Sequence, residues 1–225
     1  MAGVARDLVL AIDAALAAGG TVAVIRAGTV VAERETAMRG ETSERLMPAI
    51  ADALAEARAT PCDLDRVVCG AGPGSFTSLR IAASLAKGLC VAARIPLFQV
   101  SSLALIVAGT RPAPAAGRYL AAIDALRGEH FTQLVEWNGS VVTGTGALTR
   151  HPSEALTVEA QRQAAVAIGP GMPLNALPHA RGVAAMKALL ATDSPVDLES
   201  WEPWYGRPAE AQARWEAAHG RPLSA

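Results

Sequence analysis

Leu8-Val9-Leu10-Ala11-Ile12-Asp13-Ala14 is an apolar run that ends on an acid, and Tyr119-Leu120-Ala121-Ala122-Ile123-Asp124-Ala125 is nearly the same run again. Ala-Ile-Asp-Ala recurs at an offset of 111 positions, and Gly28-Thr29-Val30-Val31 recurs as Gly139-Ser140-Val141-Val142 at the same offset. Two matches at one offset point to an internal duplication, which has to be weighed before a fold is assigned. A looser pair sits behind two later apolar runs. Gly72-Pro73-Gly74 returns as Gly169-Pro170-Gly171 at an offset of 97, so the second copy has lost 14 residues in between.

Each copy reads the same way. An apolar strand ends at an Asp (Leu8–Asp13; Tyr119–Asp124). A hairpin follows, Thr21–Ile25 and Thr29–Arg34 around Gly28, then Phe131–Trp137 and Ser140–Thr143 around Asn138-Gly139. Asn-Gly between β-rich runs is a strong hairpin signal. A helix, a short buried strand, the Gly-Pro-Gly turn and another helix complete each copy. The first copy carries an extra strand and helix, Leu97–Val100 and Leu103–Ala108. Two βββαβα lobes of this order predict an α/β, duplicated actin/Hsp70-like fold with a truncated second lobe. The domains are then residues 1–109, a Pro/Ala/Gly linker at 110–117, and a smaller lobe at 118–225 with an aromatic tail.

Composition limits the function classes. Of 225 residues 49 are alanine, 51% are apolar and 4% aromatic, so the core is built from small aliphatic side chains. A net charge of −1 argues against a freestanding nucleic-acid binder and against a disordered chain. The average hides an acid-free block. Residues 66–123 contain Arg66, Arg80, Lys87, Arg94, Arg111 and Arg118 and no Asp or Glu. Either folding interleaves this block with acids or it forms a basic face. The long apolar stretches are interrupted, at Asp13 and Lys87 among others, so no membrane span is expected. Arg6 followed at once by Asp7 makes a poor signal peptide, which together with the cysteines points to the cytoplasm. Cys62, Cys69 and Cys90 form no C-x-x-C and read as reduced thiols, mostly buried.

Two helices are expected in the first lobe. One runs from Ser43 to Ala59, capped by Thr42 or Ser43, with Leu46, Ile50 and Leu54 on one face and Met47 beside them. The other runs from about Thr77 to Val91. Its residues Leu79, Ile81, Ala82, Ala83, Leu85, Ala86, Leu89 and Cys90 cover an arc of about 200°, twice what a surface helix needs. Such a helix is covered on two sides, by its own sheet and a neighbouring helix or by another protein.

Candidate chemistry is sparse. Gly72-Pro73-Gly74-Ser75-Phe76-Thr77 stands between a strand and a helix, where free N–H groups can hold phosphate. It lacks the third Gly and the later acid of a dinucleotide fingerprint, and the Gly-Lys-Ser/Thr of a P-loop. Asp13 and Asp124 suit the paired phosphate and metal aspartates of a duplicated kinase fold. Asp13, however, is followed by Ala14-Ala15-Leu16-Ala17, which offers neither hydroxyl nor Gly. Asp13, Asp124, Gly72 and Gly74 therefore read as a degenerate nucleotide site. His130, His151, His179 and His219 form no helical metal pair, and no G-x-S-x-G elbow is present. No catalytic residue, metal or cofactor is expected.

Gly72-Pro73-Gly74-Ser75-Phe76-Thr77-Ser78-Leu79-Arg80 closely resembles the G-P-G-S-F-T-G-L-R signature of the TsaB (YeaZ) family. Ser43-Glu44-Arg45-Leu46-Met47-Pro48 resembles its H-S-E-x-L-L-P helix start. Ser101-Ser102-Leu103 is similar to its V-S-S-L segment, and Asp124-Ala125-Leu126-Arg127-Gly128-Glu129 to its D-A-R-R-G-E turn. Pro203, Tyr205 and Arg207 are similar to its P-x-Y-x-R tail. The chain departs from the pattern at Ala14-Ala15, where the family has hydroxyls, at Thr42 in place of His, and at Ser78 in place of Gly.

The resemblance implies a non-catalytic subunit of tRNA threonylcarbamoyladenosine synthesis. Its partners would be a TsaD-like catalytic subunit and a TsaE-like ATPase, with tRNA bound only within the complex. The implied pairing surface is the two first-lobe helices, with Ser43, Glu44, Leu46, Met47, Ile50, Leu54, Phe76, Thr77, Leu79, Arg80, Ala83 and Lys87, and a homodimer can use the same surface. An actin-like small-molecule kinase or ATPase using Asp13 and Asp124 is the alternative. The aromatics Trp201, Trp204, Tyr205 and Trp215 are expected to clamp the tail onto the second lobe.

Overall fold

The computed structural model describes residues 7–38 and 45–206. Strands β1 (Leu8–Leu16), β2 (Gly19–Arg26) and β3 (Thr29–Ala37) form a meander. Helix α1 (Leu46–Glu56), β4 (Arg66–Gly70), α2 (Phe76–Ala93), β5 (Leu97–Val100) and α3 (Ser102–Gly109) complete the first lobe. The second has β6 (Gly117–Asp124), β7 (Glu129–Trp137), β8 (Val142–Pro152), α4 (Leu156–Arg162), β9 (Val166–Gly169), β10 (Leu174–Asn175) and α5 (Lys187–Thr192). The first sheet is ordered β3-β2-β1-β4-β5 and the second β8-β7-β6-β9-β10, the same order position for position. In each, the first strand pairs antiparallel with the second and parallel with the fourth. That is the duplicated actin/Hsp70-like fold which the repeat predicts.

The two copies diverge after the Gly-Pro-Gly turn. In the first, the turn leads into the 18 residues of α2. In the second, β10 comes first, and the helical segment, a 3-10 stretch over Ala180–Met186 and then α5, follows only after that strand. Only residues 170–173 separate β9 from β10, too few for a helical crossover, so β10 pairs as a two-residue strand where β9 ends. The hairpin signal at Asn138 is met. Its Oδ1 accepts from the Ser140 and Val141 amides, and Gly139 takes φ 99°.

Alternation along β1 divides the core. Leu8, Leu10 and Ile12 face α1 and α2, while Val9 and Ala11 face α3 and the second sheet. Helix α3 is buried almost all round, with Leu103 to Val107 fully enclosed, and joins both lobes in one cluster. α2 is long and apolar enough to cross a membrane by composition, but its apolar side chains pack on the first sheet. Cys69 and Cys90 are buried and Cys62 is exposed, all as free thiols.

A segment after β10 returns to the first lobe. Gly182 crosses Gly109 so closely that a Cβ on either would overlap the other strand of chain. Arg181 donates from Nε to the Gly109 carbonyl (2.8 Å) and from Nη1 to Glu33 (3.0 Å). His179 is buried beside it. Burial and then the Arg181 charge lower its pKa to about 4, against the opposing pull of Glu33 and Glu35. The acid-free block is partly interleaved with acids, since Arg66 pairs with Asp7, Arg111 with Glu33 and Arg118 with Glu136.

Two predictions follow from this packing. Leu105→Ala, at the centre of the shared cluster, is expected to cost about 2–5 kcal/mol in urea denaturation, with both lobes lost in one transition. His179 is neutral when folded and gains a proton below about pH 6.5 when unfolded. Its contribution is therefore complete above that pH and is lost as pH falls toward 4. Urea midpoints measured between pH 7 and 4.5 should fall less steeply in His179→Gln than in the natural chain.

Candidate functional site

Asp13 is 2% exposed, and its carboxylate turns inward. Oδ1 accepts from the Ala15 amide (3.1 Å) and Oδ2 from the Ser102 hydroxyl (2.5 Å). Ser102 Oγ in turn accepts from the Gly72 amide (3.2 Å), and the Ser102 amide donates to the Gly72 carbonyl (3.0 Å). Burial pushes the Asp13 pKa up, and the Ser102 and Ala15 hydrogen bonds oppose that shift. Gly70 has no side chain because a Cβ there would overlap Asp13 Oδ2. One buried carboxylate thus ties β1 to the Gly-Pro-Gly turn and to the start of α3.

The start of α2 is engaged by the chain itself. The Ser75 amide, the N-cap position of α2, donates to the Ala15 carbonyl at 2.7 Å. A Cβ at Gly74 would overlap that same carbonyl. The helix end that reads as an anion site spends an N–H group on the β1–β2 turn. Asp124 is exposed and accepts from the Leu126 amide (2.7 Å) in a local turn. The two aspartates, equivalent in the repeat, therefore have different environments: one is locked inside the first lobe and the other caps a loop.

Several residues read as a pairing surface lie in the core. Leu46, Ile50 and Leu54 on α1, and Leu79 and Ala83 on α2, are at most 5% exposed. This corrects their assignment to an interface. The first sheet takes one side of the wide apolar arc of α2, and Val196, Leu198 and Trp201 of the tail join the same cluster. Met47, Thr77 and Arg80 are exposed, and Phe76 and Lys87 are half-buried. Ser43 and Glu44 lie outside the described residues, as do the cap candidate Thr42, Arg207 and Trp215. α1 begins at Leu46 with Arg45 at its N-cap position. The open row of α2 is Thr77, Arg80, Ser84, Gly88 and Val91, which periodicity alone did not single out because Ser and Gly carry no hydropathy signal.

The tail is clamped mainly onto the first lobe, not the second as expected. The Val196 amide donates to Leu97, and Trp201 Nε1 donates to Gln99 Oε1 at 2.7 Å. The Trp204 amide donates to Ala71 (2.8 Å), and Tyr205 packs on Phe76 with ring centroids 4.5 Å apart. Contact with the second lobe comes from Trp204, whose ring meets Phe131 edge-on at 5.2 Å. Lys87 lies over Trp201 and Arg80 over Phe76.

A family model described as TsaD, tRNA N6-adenosine threonylcarbamoyltransferase, matches residues 35–168. A TsaB described as a tRNA threonylcarbamoyladenosine biosynthesis protein, from Escherichia coli K12, is 40% identical over 121 residues, 54% of this chain and 52% of that protein. An uncharacterized protein of Mycobacterium tuberculosis H37Rv is 35% identical over 207 residues, 89% of this chain and 87% of its own length. The crystal structure of YeaZ from Pseudomonas aeruginosa superposes with a TM-score of 0.74 at 27% identity, covering 88% of this chain and 99% of that one. The chain belongs to the TsaB/YeaZ family. Its match spans about half the length of the Escherichia coli and Bacillus subtilis relatives, 52% in each.

Within the family pattern, two departures have a visible consequence. Ala14 and Ala15 are buried in the two core clusters, where a hydroxyl would need a partner, and the Ala15 backbone carbonyl accepts from the Ser75 amide. Ser78, in place of Gly, is buried and donates to Ser75 Oγ (3.1 Å). The adjacent serines of the Ser101-Ser102-Leu103 motif divide the work. Ser101 caps α3 through the Leu103 amide and donates to Gln133 of the second lobe (2.6 Å), while Ser102 holds Asp13. A Ser-Ser pair at a helix start signals a cap, but not the 89-residue reach to Asp13.

Ser102→Ala leaves Asp13 Oδ2 and the Gly72 amide buried without this partner. It is expected to lower stability by about 1–3 kcal/mol in urea denaturation. Asp13→Asn, which keeps the shape of the side chain and a hydrogen-bonding group, should cost less than Ser102→Ala.

Proposed function

We propose that this chain serves in tRNA threonylcarbamoyladenosine biosynthesis as a non-catalytic scaffold subunit that binds a TsaD-like catalytic subunit. The observation that carries the reading is the outward row of α2. Thr77, Arg80, Ser84, Gly88 and Val91 are exposed on one face, Val91 by 65%, and a Cβ at Gly88 would have no atom within 4 Å. Small residues on such a face let a partner helix approach closely, and an exposed valine gives it apolar area to bury. Met47 on α1, 44% exposed, adds to the same kind of surface.

In this reading residues 1–109 carry the partner-binding lobe, 110–117 join the lobes and 118–225 complete the fold. A TsaE-like ATPase joins the complex, and tRNA is bound only there, in the cytoplasm. The same face can also support a homodimer. The inward-turned Asp13, with both carboxyl oxygens engaged inside the lobe, supports a non-catalytic role and weighs against the kinase or ATPase alternative.

The test uses exposed positions, since a charge at buried Leu79 or Ala83 would disturb the core. Val91→Glu and Ser84→Glu should weaken co-purification with a co-expressed TsaD-like subunit at least about tenfold, or about 1.4 kcal/mol. Their urea midpoints should match that of the natural chain. Undiminished binding by both variants would remove α2 as the interface.

A further inference from the structure

Beside the return segment is a cavity of about 620 Å³, a size that suits a small molecule. Its walls come from the ends of β2 and β3, from Thr110-Arg111 after α3, and from residues 175–181. No part of it belongs to the Asp13 turn or to the open face of α2.

Two opposite charges stand in these walls, each anchored at one end only. Glu35, with its side chain 71% exposed, has Oε1 3.2 Å from His179 Nε2 and 3.8 Å from Arg181 Nη2. Its Oε2 has no partner among the described residues. Arg111, with its side chain 56% exposed, gives Nη1 to Glu33 Oε1 at 2.8 Å, and its other nitrogens have no partner among the described residues. Glu33 also accepts from Arg181, so it holds both arginines and keeps Arg111 from turning to Glu35.

His179 makes this arrangement rigid. It is 4% exposed, and its Nδ1 accepts from the Arg181 amide at 3.1 Å. The ring proton of the neutral imidazole is therefore on Nε2. That Nε2 is buried and faces Glu35 without a well-directed hydrogen bond among the described residues. It is a buried donor left incomplete at the cavity wall.

Charge and lining then select a ligand class. Glu33 and Glu35 are two residues apart on β3, so they share a face and lie about 7 Å apart along the strand. Arg111 is fixed on the first and the second is free to accept. A molecule that carries an ammonium and a carboxylate can meet both groups, each with a charge-assisted hydrogen bond. Leu16, Ala176, Leu177 and Pro178 supply an apolar wall, with Leu177 57% exposed. We propose that this cavity binds a small zwitterion with an aliphatic body, a free α-amino acid, its ammonium on Glu35 and its carboxylate on Arg111. The site does not depend on partner binding, and its failure would leave the reading of α2 untouched.

The test is a titration of the full ¹⁵N-labelled chain, followed by amide chemical shifts. Glycine, L-alanine and L-leucine are added up to about 10 mM, ten times a millimolar Kd. The expected result is saturable shifts at residues 35–37 and 175–181 with at least one of the three. Removing one charge, as in 4-methylpentanoate or 3-methylbutylamine for leucine, should weaken binding at least tenfold. Glu35→Gln and Arg111→Gln should each do the same. Both positions are solvent-exposed, and unchanged shifts elsewhere in the spectrum would show the variants folded. No saturation with any of the three amino acids, or equal binding by both variants, would overturn the proposal.

Discussion

Asp13 is a carboxylate inside an alanine-lined lobe, and the first lobe is arranged around the need to satisfy it. A buried carboxyl group is costly unless its oxygens find hydrogen-bond partners. Here the donors come from three elements: the Ala15 amide on the same hairpin, Ser102 at the start of α3, and through Ser102 the Gly72 amide of the turn before α2. Because those partners are far apart in sequence, the hydrogen bonds set where β1, α2 and α3 meet. Gly70 lacks a side chain for the same reason, since the carboxylate occupies the space.

That arrangement bears on function through what it leaves no room for. A strand end, a glycine turn and a helix N-terminus are the parts of an anion site. In this chain they have collapsed onto each other, with Ser75 bound to Ala15 and the tail backbone at Trp204 lying over Gly72. Interior alanines explain how so close an approach is reached without overlap. The few aromatics serve a different purpose. Trp201, Trp204 and Tyr205 hold the tail across the first lobe to Phe131 of the second, covering α2 and β5 where a core of small side chains would leave apolar surface open.

The open face of α2 and the cavity near His179 are separate surfaces with different chemistry. The first is a row of Thr77, Arg80, Ser84 and Gly88 that ends on the exposed Val91. The second is a concave space with fixed charges, suited to a small polar molecule. They are built by opposite sides of the first sheet, α2 lying on the outer face and the return segment reaching the side shared with α3.

The internal repeat in the sequence was enough to point to the duplicated fold and to place most of its strands along the chain. A hairpin turn at a Gly and an Asp at the end of a buried strand are local signals, and both copies carry them; the Asn before that Gly is present only in the second. The same signals could not decide which side of α2 meets solvent. A 200° apolar arc is equally consistent with a partner and with the chain's own tail, and only folding brings Trp201 and Leu198 beside it. Nor could they tell Asp13 from Asp124, because the repeat makes them equivalent while burial and a serine 89 positions away make them different. The His179, Glu35 and Arg111 wall has no sequence pattern at all. Its members come from three segments that the Gly109–Gly182 crossing brings together, and that close approach is a property of the tertiary structure alone.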